Sequence, residues 1–323
     1  MTWLVTGGAG YIGAHVVQEF VRENIGVVVF DDLSTGQQNF IPSGVSFIRG
    51  DILDLELLVE TMKGHGVVGV VHLAGFKYSG ISVQLPIHTY KQNVAGMISL
   101  LEAMKISKVD NIVYSSSAAV YGDPAVDIVN ELTPTNPKSP YGESKLVGEQ
   151  LLNNVGRNGV KHTSLRYFNV VGSGISNVYD KSPHNLFPLV FDSLLKRQNP
   201  KIFGNDYPTN DGTCVRDYVH VADLAKAHVV AAKRLLDNLP VAPVYNLGSG
   251  NGVSVKEIIS TISKVTGIPC SPEFVSRRQG DPARIVADGK LASKMLDWKM
   301  RHSLEEMVES AWAVCQKLEA TND

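Results

Sequence analysis

The sequence predicts an α/β fold: a doubly wound parallel sheet with helices on both faces, followed by a second, smaller α/β domain. Three observations carry the prediction. Short apolar runs of strand length recur through the first half of the chain. Helix-length stretches with spaced apolar residues lie between most of them, and strands joined in this way form right-handed βαβ units in a sheet buried on both sides. After about residue 170 the rhythm breaks into shorter strand-like pieces and loops rich in Asn, Asp, Gly and Pro, as in 204–212.

The strand candidates are, in order, Trp3 to Thr6, Val27 to Phe30, Val45 to Ile48, Val67 to Leu73, Asn111 to Ser115 and Lys161 to Leu165. Ile12, Val16, Val17, Phe20 and Val21 share one helical face, and Val94, Met97, Ile98, Leu101 and Met104 share another. In the second half, helices are expected at about 186–197, 221–236, 254–266 and 303–318. No Ser/Gly linker separates the halves, so they should pack closely, with residues 1–170 as the first domain and 171–323 as the second.

A length of 323 residues suits two domains at ~150 residues each. With 44% hydrophobic and 19% charged residues the chain is globular rather than disordered. Thirty basic residues against 32 acidic ones leave no electrostatic case for nucleic acid or an anionic membrane as the main partner. Cys214, Cys270 and Cys315 are too far apart for a CxxC pair, their odd number argues against a disulfide framework, and no HExxH pair occurs, so no metal site is expected. The chain opens without a basic and apolar leader and has no run of ~18 apolar residues. Neither a signal peptide nor a membrane span is therefore expected, and a reducing, cytoplasmic setting is the default.

The first strand candidate runs into Gly7-Gly8-Ala9-Gly10-Tyr11-Ile12-Gly13 and then a helix. Gly7, Gly10 and Gly13 follow GxxGxxG spacing. Such a turn lets the backbone approach a pyrophosphate and aims a helix N-terminus at it, which makes the first domain Rossmann-like. Asp31 ends the second strand, where a carboxylate can bind both ribose hydroxyls and repel a 2′-phosphate, favouring NAD over NADP. A ligand-free glycine turn and a solvated loop aspartate are the alternatives.

Ser139-Pro140-Tyr141 opens another helix, with Ser139 suited to the N-cap and Pro140 to the first helical position. Tyr141 and Lys145, four residues apart, share one face of it. The helix N-terminus and the neighbouring ammonium both favour a phenolate. A depression of about two units from the free value of ~10 would ionise ~10% of the tyrosine at pH 7, enough for a general base. Alone, this pair also reads as a surface tyrosine and an ordinary helical lysine. What raises its weight is Ser115-Ser116-Ser117, at the carboxyl end of an earlier parallel strand, where ligands bind.

Together these residues resemble the extended short-chain dehydrogenase/reductase superfamily, and within it the UDP-galactose (UDP-glucose) 4-epimerases. The segments that carry the resemblance are GGAGYIG from Gly7, DDLSTG from Asp31, GDILD from Gly50, HLAGFK from His72, SSSAAVYGDP from Ser115, SPYGESK from Ser139 and LRYFN from Leu165. It continues through PHNLFP from Pro183, the long block from Phe203 to His228, YNLGSG from Tyr245 and RRQGD from Arg277, nearly the whole chain.

The resemblance implies a held NAD, UDP-galactose and UDP-glucose as substrates, and a homodimer. It implies Tyr141 as base for the 4-hydroxyl, Lys145 as its electrostatic partner and Ser117 as holder of the 4-oxygen. Cofactor contacts would come from Gly7, Gly10, Tyr11, Ile12 and Gly13, then Asp31, Asp32, Ser34, Thr35 and Gly36. They would continue through Asp51, Ile52, Leu73, Ala74, Gly75, Lys77, Gln92 and Phe168, and include Tyr141 and Lys145. Asn169, Asn185, Leu186, Arg216, Arg278 and Asp281 would hold the nucleotide sugar, with Ile285 beside the 2-substituent of the hexose. Arginines suit a diphosphate because a guanidinium offers forked donors, although a surface ion pair is the alternative for Arg216 and Arg278.

The chain departs from the family's pattern in places. Ile81 replaces a usual Glu, Gln92 an Asn and Val170 a Pro, and the stretch 171–182 is short. Two rival readings are a nucleotide-sugar 4,6-dehydratase and a non-catalytic NAD-binding regulator. The first needs an acid and a base just after the strand serine, where Ala118 and Ala119 stand. The second would be free to lose Tyr141 or Lys145.

Overall fold

The structure, a computed structural model, describes residues 1–278 and 282–319. Its strands are β1 (Thr2–Thr6), β2 (Gly26–Asp31), β3 (Ser46–Arg49), β4 (Val67–His72), β5 (Asn111–Ser117), β6 (Ile128–Val129), β7 (Lys161–Tyr167), β8 (Asn169–Val171), β9 (Lys201–Phe203), β10 (Val215–His220), β11 (Val244–Leu247), β12 (Gly252–Ser254), β13 (Glu273–Val275) and β14 (Arg284–Ala287). Its helices are α1 (Tyr11–Arg22), α2 (Leu55–Gly64), α3 (Ser79–Ser82), α4 (Pro86–Tyr90), α5 (Gly96–Ser107), α6 (Pro140–Gly156), α7 (Leu186–Leu195), α8 (Val221–Leu236), α9 (Val255–Thr266), α10 (Lys290–Leu296) and α11 (Leu304–Glu319).

Seven parallel strands form the main sheet in the order β11-β7-β5-β4-β1-β2-β3. The order reverses at β1, which lies between β4 and β2, and opens a crevice at the carboxyl ends of these strands. One face buries Trp3, Val5, Val29, Val71, Val113 and Leu165 against α1 and α8. The other buries Leu4, Val28, Val70, Ile112 and Tyr114 against α2, α5 and α6. Alternate residues of each strand thus serve opposite cores, so the runs read as continuously apolar.

A smaller layer stands over the crevice. It holds the sheet β12-β10-β14-β6, with β8 beside β10, the pair β13-β9, and the helices α7, α9 and α11. Asp217 of β10 ties the layers together. Its buried carboxylate accepts from the N–H groups of Ser249, Gly250 and Ala287 and from the Ser249 hydroxyl.

The seven-stranded layer draws on segments beyond residue 170: β11 pairs with β7, and α8 packs on α1 and β5. The buried face of α5 also differs from the expected one. Met97, Leu100, Ala103 and Met104 point inward, while Ile98 is 43% exposed. A π-helical turn at Lys91–Ala95 precedes α5, and its wider winding rotates the helix away from the phase that a continuous 3.6-residue repeat would set. On α1, Val21 is likewise exposed at the edge of an otherwise buried stripe.

Candidate active site

The crevice widens into a cavity of about 1310 Å³ between the two layers. That exceeds the ~300–1,000 Å³ usual for one ligand and leaves room for two.

The sheet side is built around the glycine turn. Gly7 has φ 73°, and a Cβ there would lie 2.6 Å from the Ala74 nitrogen. A Cβ on Gly13 would lie 2.1 Å from the Gly7 carbonyl oxygen. The first turn of α1, with Gly10, Tyr11, Ile12 and Gly13, lines the cavity without a side-chain cap, leaving a cradle suited to an anion. Asp31 fixes the turn. Its Oδ2 accepts from Ala9 N–H at 3.0 Å and its Oδ1 from Leu33 N–H at 2.8 Å. Burial pushes its carboxyl above the usual range, and these amides and the Lys77 charge pull it back. Each oxygen keeps a lone pair, so the donor set and the close backbone fit a dinucleotide.

Further along the same wall come Asp32, Ser34 and Thr35, then Ile52, then Leu73, Ala74, Gly75 and Lys77, with Gln92 and Phe168 closing it. Two expected residues do not line the cavity. Gly36 stands behind Asp31, where a Cβ would lie 2.9 Å from Oδ1. Asp51 is exposed, and its Oδ1 accepts from Leu53 N–H on the approach to α2.

Ser117 ends β5 and reaches the cavity, and β5 pairs in register with β7, Ser117 opposite Tyr167. The start of α6 is set as its sequence suggests. Ser139 Oγ accepts from Gly142 N–H at 3.2 Å and Pro140 takes the first helical position. Tyr141 N–H donates to Ser82 Oγ at 3.1 Å, docking α6 on α3. Tyr141 and Lys145 both line the cavity.

Their electrostatics depart from expectation. Burial pushes the Tyr141 phenol up, and a hydrogen bond with Ser117 pulls it back. Burial brings Lys145 down to about 8. Its Nζ donates to the Ser115 carbonyl at 2.8 Å and lies over the Tyr114 ring at 5.1 Å. Burial thus moves the Tyr141 phenol in the direction opposite to the one expected from the helix end and the ammonium.

The opposite wall carries Asn169, Asn185, Leu186, Arg216, Arg278 and Ile285. Asn185 stands at the N-cap position of α7, but its side chain turns away from the helix, and its Nδ2 donates to Asp180 Oδ2 at 2.6 Å. Arg216 Nη1 donates to the carbonyls of Val215 and Pro282 at 2.9 and 2.7 Å, which orient its head along the cavity wall. The Arg278 guanidinium lies 4.0 Å from the Phe203 ring centroid. Asp281 falls outside the described residues.

Sequence reasoning missed the supports behind this site. Asn93 is buried, accepts from Phe76 N–H at 2.6 Å, and donates to the Phe76 carbonyl and to Ser144 Oγ. It pins the loop after β4 to α6. Ser116 donates to Glu149 at 2.5 Å, and Arg166 binds both oxygens of that carboxylate. The alternation of β5 could have revealed this pair: Ser116 faces away from Ser117 and lies opposite Arg166 in register. Among the described residues, no cluster of His, Cys, Asp and Glu could hold a metal ion, and no helix is long and apolar enough to cross a membrane.

A parallel sheet with this glycine turn and a Ser, Tyr and Lys at its carboxyl edge has the architecture of the short-chain dehydrogenase/reductase class. Residues 3–248 match the NAD dependent epimerase/dehydratase family, and the chain belongs to it. A UDP-glucose 4-epimerase of Halalkalibacterium halodurans is 42% identical over 318 residues, covering 97% of this chain and 95% of its own. A UDP-glucose 4-epimerase structure from Stenotrophomonas maltophila, with bound NAD and formylated UDP-arabinopyranose, superposes with a TM-score of 0.95 at 37% identity, covering 99% of both chains. One from Bifidobacterium longum, in complex with NAD+ and UDP, has a TM-score of 0.90 at 36% identity and covers 98% of both.

Proposed function

We propose that the chain interconverts UDP-galactose and UDP-glucose with NAD as a resident cofactor. The observation that carries this reading is that Ser117, Tyr141 and Lys145 share one cavity with the glycine cradle and Asp31, facing Asn185, Arg216 and Arg278 across it. The layer built on the first 170 residues would hold the dinucleotide and residues 171–323 the nucleotide sugar, with β11 and α8 returning to the first layer.

Gly7, Gly10 and Gly13 would admit the pyrophosphate to the start of α1, and Asp31 would bind the adenosine ribose. When bound, NAD supplies a hydride acceptor that also serves as the donor. Tyr141 takes the proton from the sugar 4-hydroxyl, and Ser117, whose hydroxyl bonds the phenol before the sugar arrives, gives its one hydrogen bond to the same oxygen once the sugar is in place. Lys145 lends positive charge to the phenolate and holds the end of β5 through the Ser115 carbonyl. Arg216 and Arg278 would pair with the diphosphate, leaving the sugar free to turn over as a 4-keto ring. Tyr141 then returns the proton to the oxygen of the opposite epimer. Ala118 and Ala119 line the cavity beside Ser117 and can transfer no proton, which disfavours a 4,6-dehydratase.

A homodimer fits the exposed apolar side chains of Val83, Leu85 and Ile87, with Ile87 83% exposed. A reducing, cytoplasmic setting fits an odd count of three widely spaced cysteines, which suits no disulfide framework. The test is purified protein with UDP-galactose and no added reductant, followed by sugar analysis. Formation of UDP-glucose supports the reading, and an unchanged sugar refutes it.

A further inference from the structure

Two segments meet across the mouth of the cavity. From the sheet side comes the loop after β4, stiffened by Asn93 on Phe76 and by edge-to-face contacts of the Phe76 ring with Tyr78 and His88 at 5.6 and 5.1 Å. Tyr78 precedes α3, whose Ser82 docks the Tyr141 amide. From the other layer comes the loop 180–185, organised by Asp180. Its carboxylate accepts from Ser182 N–H at 3.0 Å and from Asn185 Nδ2, and Ser182 Oγ accepts from His184 N–H. The half-buried Tyr78 ring and the exposed His184 ring pack edge to face, with centroids 5.1 Å apart and planes at 73°. Both rings line the cavity. The same Asp180 charge acts on Tyr78, raising its phenol pKa after burial does.

A 4-epimerase that lets its sugar turn over must grip the ring loosely, and a loosely gripped ketone can leave. We propose that Tyr78 and His184 form a clasp across the cleft that opens to exchange nucleotide sugar and closes to retain the 4-keto intermediate. The proposal rests on the epimerase reading. An aromatic pair biases an open–closed equilibrium by a factor of roughly 3–10, enough to favour closure and weak enough to release on every turnover. Each escape carries off a sugar that has lost the C4 hydride and the O4 proton, and both stay behind with the enzyme. Escape should therefore appear as free ketone and as progressive inactivation in equal amounts.

The experiment compares the wild type, Tyr78→Ala, His184→Ala, the double variant and Tyr78→Phe, all with bound NAD. UDP-galactose is turned over, the ultrafiltrate is reduced with borodeuteride, and deuterium at C4 reports escaped ketone per epimerisation. UDP release is measured separately by stopped flow, which needs no turnover. The expected result is a rise of about 3- to 10-fold in escape and in UDP release for each alanine variant. The double variant should be no worse than either single one, and Tyr78→Phe, which keeps the ring, should match the wild type. Unchanged escape and release in the alanine variants, or additive effects, would overturn the clasp. A wild type that leaves UDP-galactose unchanged but releases UDP faster after either alanine substitution refutes the epimerase reading, and with it the retention role.

Discussion

Lys145 donates from Nζ to the carbonyl of Ser115 at 2.8 Å, while the centroid of the Tyr141 ring lies 5.8 Å away. The lysine therefore anchors the end of β5, and the hydrogen bond that lowers the Tyr141 pKa comes from Ser117. A base whose pKa is raised by burial depends on every donor that stabilises its phenolate.

Tyr141→Phe removes the proposed proton acceptor with little change of shape, and turnover should fall by about 10²-fold or more. Ser117→Ala removes an interaction that lowers the Tyr141 pKa, so the acidic limb of the pH–rate profile should move to higher pH. Lys145→Met should shift it in the same direction. Profiles of kcat/KM for the three variants check this, and a Ser117→Ala profile that coincides with the wild type would show that the hydroxyl does not act on the phenol.

Cofactor choice should follow Asp31. A 2′-phosphate would meet a carboxylate already held by two amides in a partly desolvated cleft, so NADP should bind poorly. Asp31→Asn keeps an acceptor for the turn and removes the charge, so the preference for NAD should narrow without loss of the fold. Dissociation constants for both dinucleotides decide it. Equal wild-type affinities would remove Asp31 from this role.

Local chemistry was legible in the sequence, and long-range chemistry was not. The glycine turn and the Ser139-Pro140 helix start are each set within a few residues, by steric demands that only those residue types meet. The return of β11 to pair with β7 depends on packing between segments some eighty residues apart, which no local pattern encodes. The π-helical turn before α5 broke the periodicity argument because it changes the winding on which that argument rests. Gly36 and Asp51 follow the family's motif, yet here one spaces the backbone around Asp31 and the other closes a turn. Sequence displays charges and helix ends but not desolvation, and it is burial that pushes the Tyr141 phenol up.

Stability should fall on mild acidification. Burial lowers His15, His220 and His228 to about 4 and His72 to about 3. Each stays neutral in the fold but binds a proton on unfolding below pH ~6.5, so the unfolded state holds more protons and stability rises with pH between those values. Each histidine costs about 1.4 kcal/mol per pH unit in that window. Asp31, Glu131 and Asp217, raised by burial, act in the opposite sense over part of it. Denaturant titrations at pH 7 and pH 5 should give a clearly lower stability at pH 5. A flat profile would mean that these histidines are protonated in the fold.

Sugar size should be read at Ile285. It sits on β14, opposite Arg216 of β10 in register, is 7% exposed, and lines the cavity beside Phe168. The resemblance places it against the 2-substituent of the hexose, where bulk excludes an acetamido group and a small side chain admits it. Ile is intermediate in volume, and its β-branch prevents it from swinging aside as Leu or Met would. Its packing against Val120, Val129 and Phe168 removes the room to retreat. A clash with a wall of this kind costs ~1–3 kcal/mol, which slows turnover by roughly 5- to 150-fold without abolishing it. UDP-galactose should therefore be preferred over UDP-N-acetylgalactosamine, with low but measurable activity on the latter. Ile285→Gly should close the gap and Ile285→Tyr widen it. Ile285→Val, with little cavity cost, should shift the ratio slightly towards the acetylated sugar. The measurement is the ratio of kcat/KM for the two sugars in the wild type and the three variants, with thermal unfolding as a control for the buried position. If the ratio does not move with side-chain volume, Ile285 is not the gate and the short loop 171–182 takes its place.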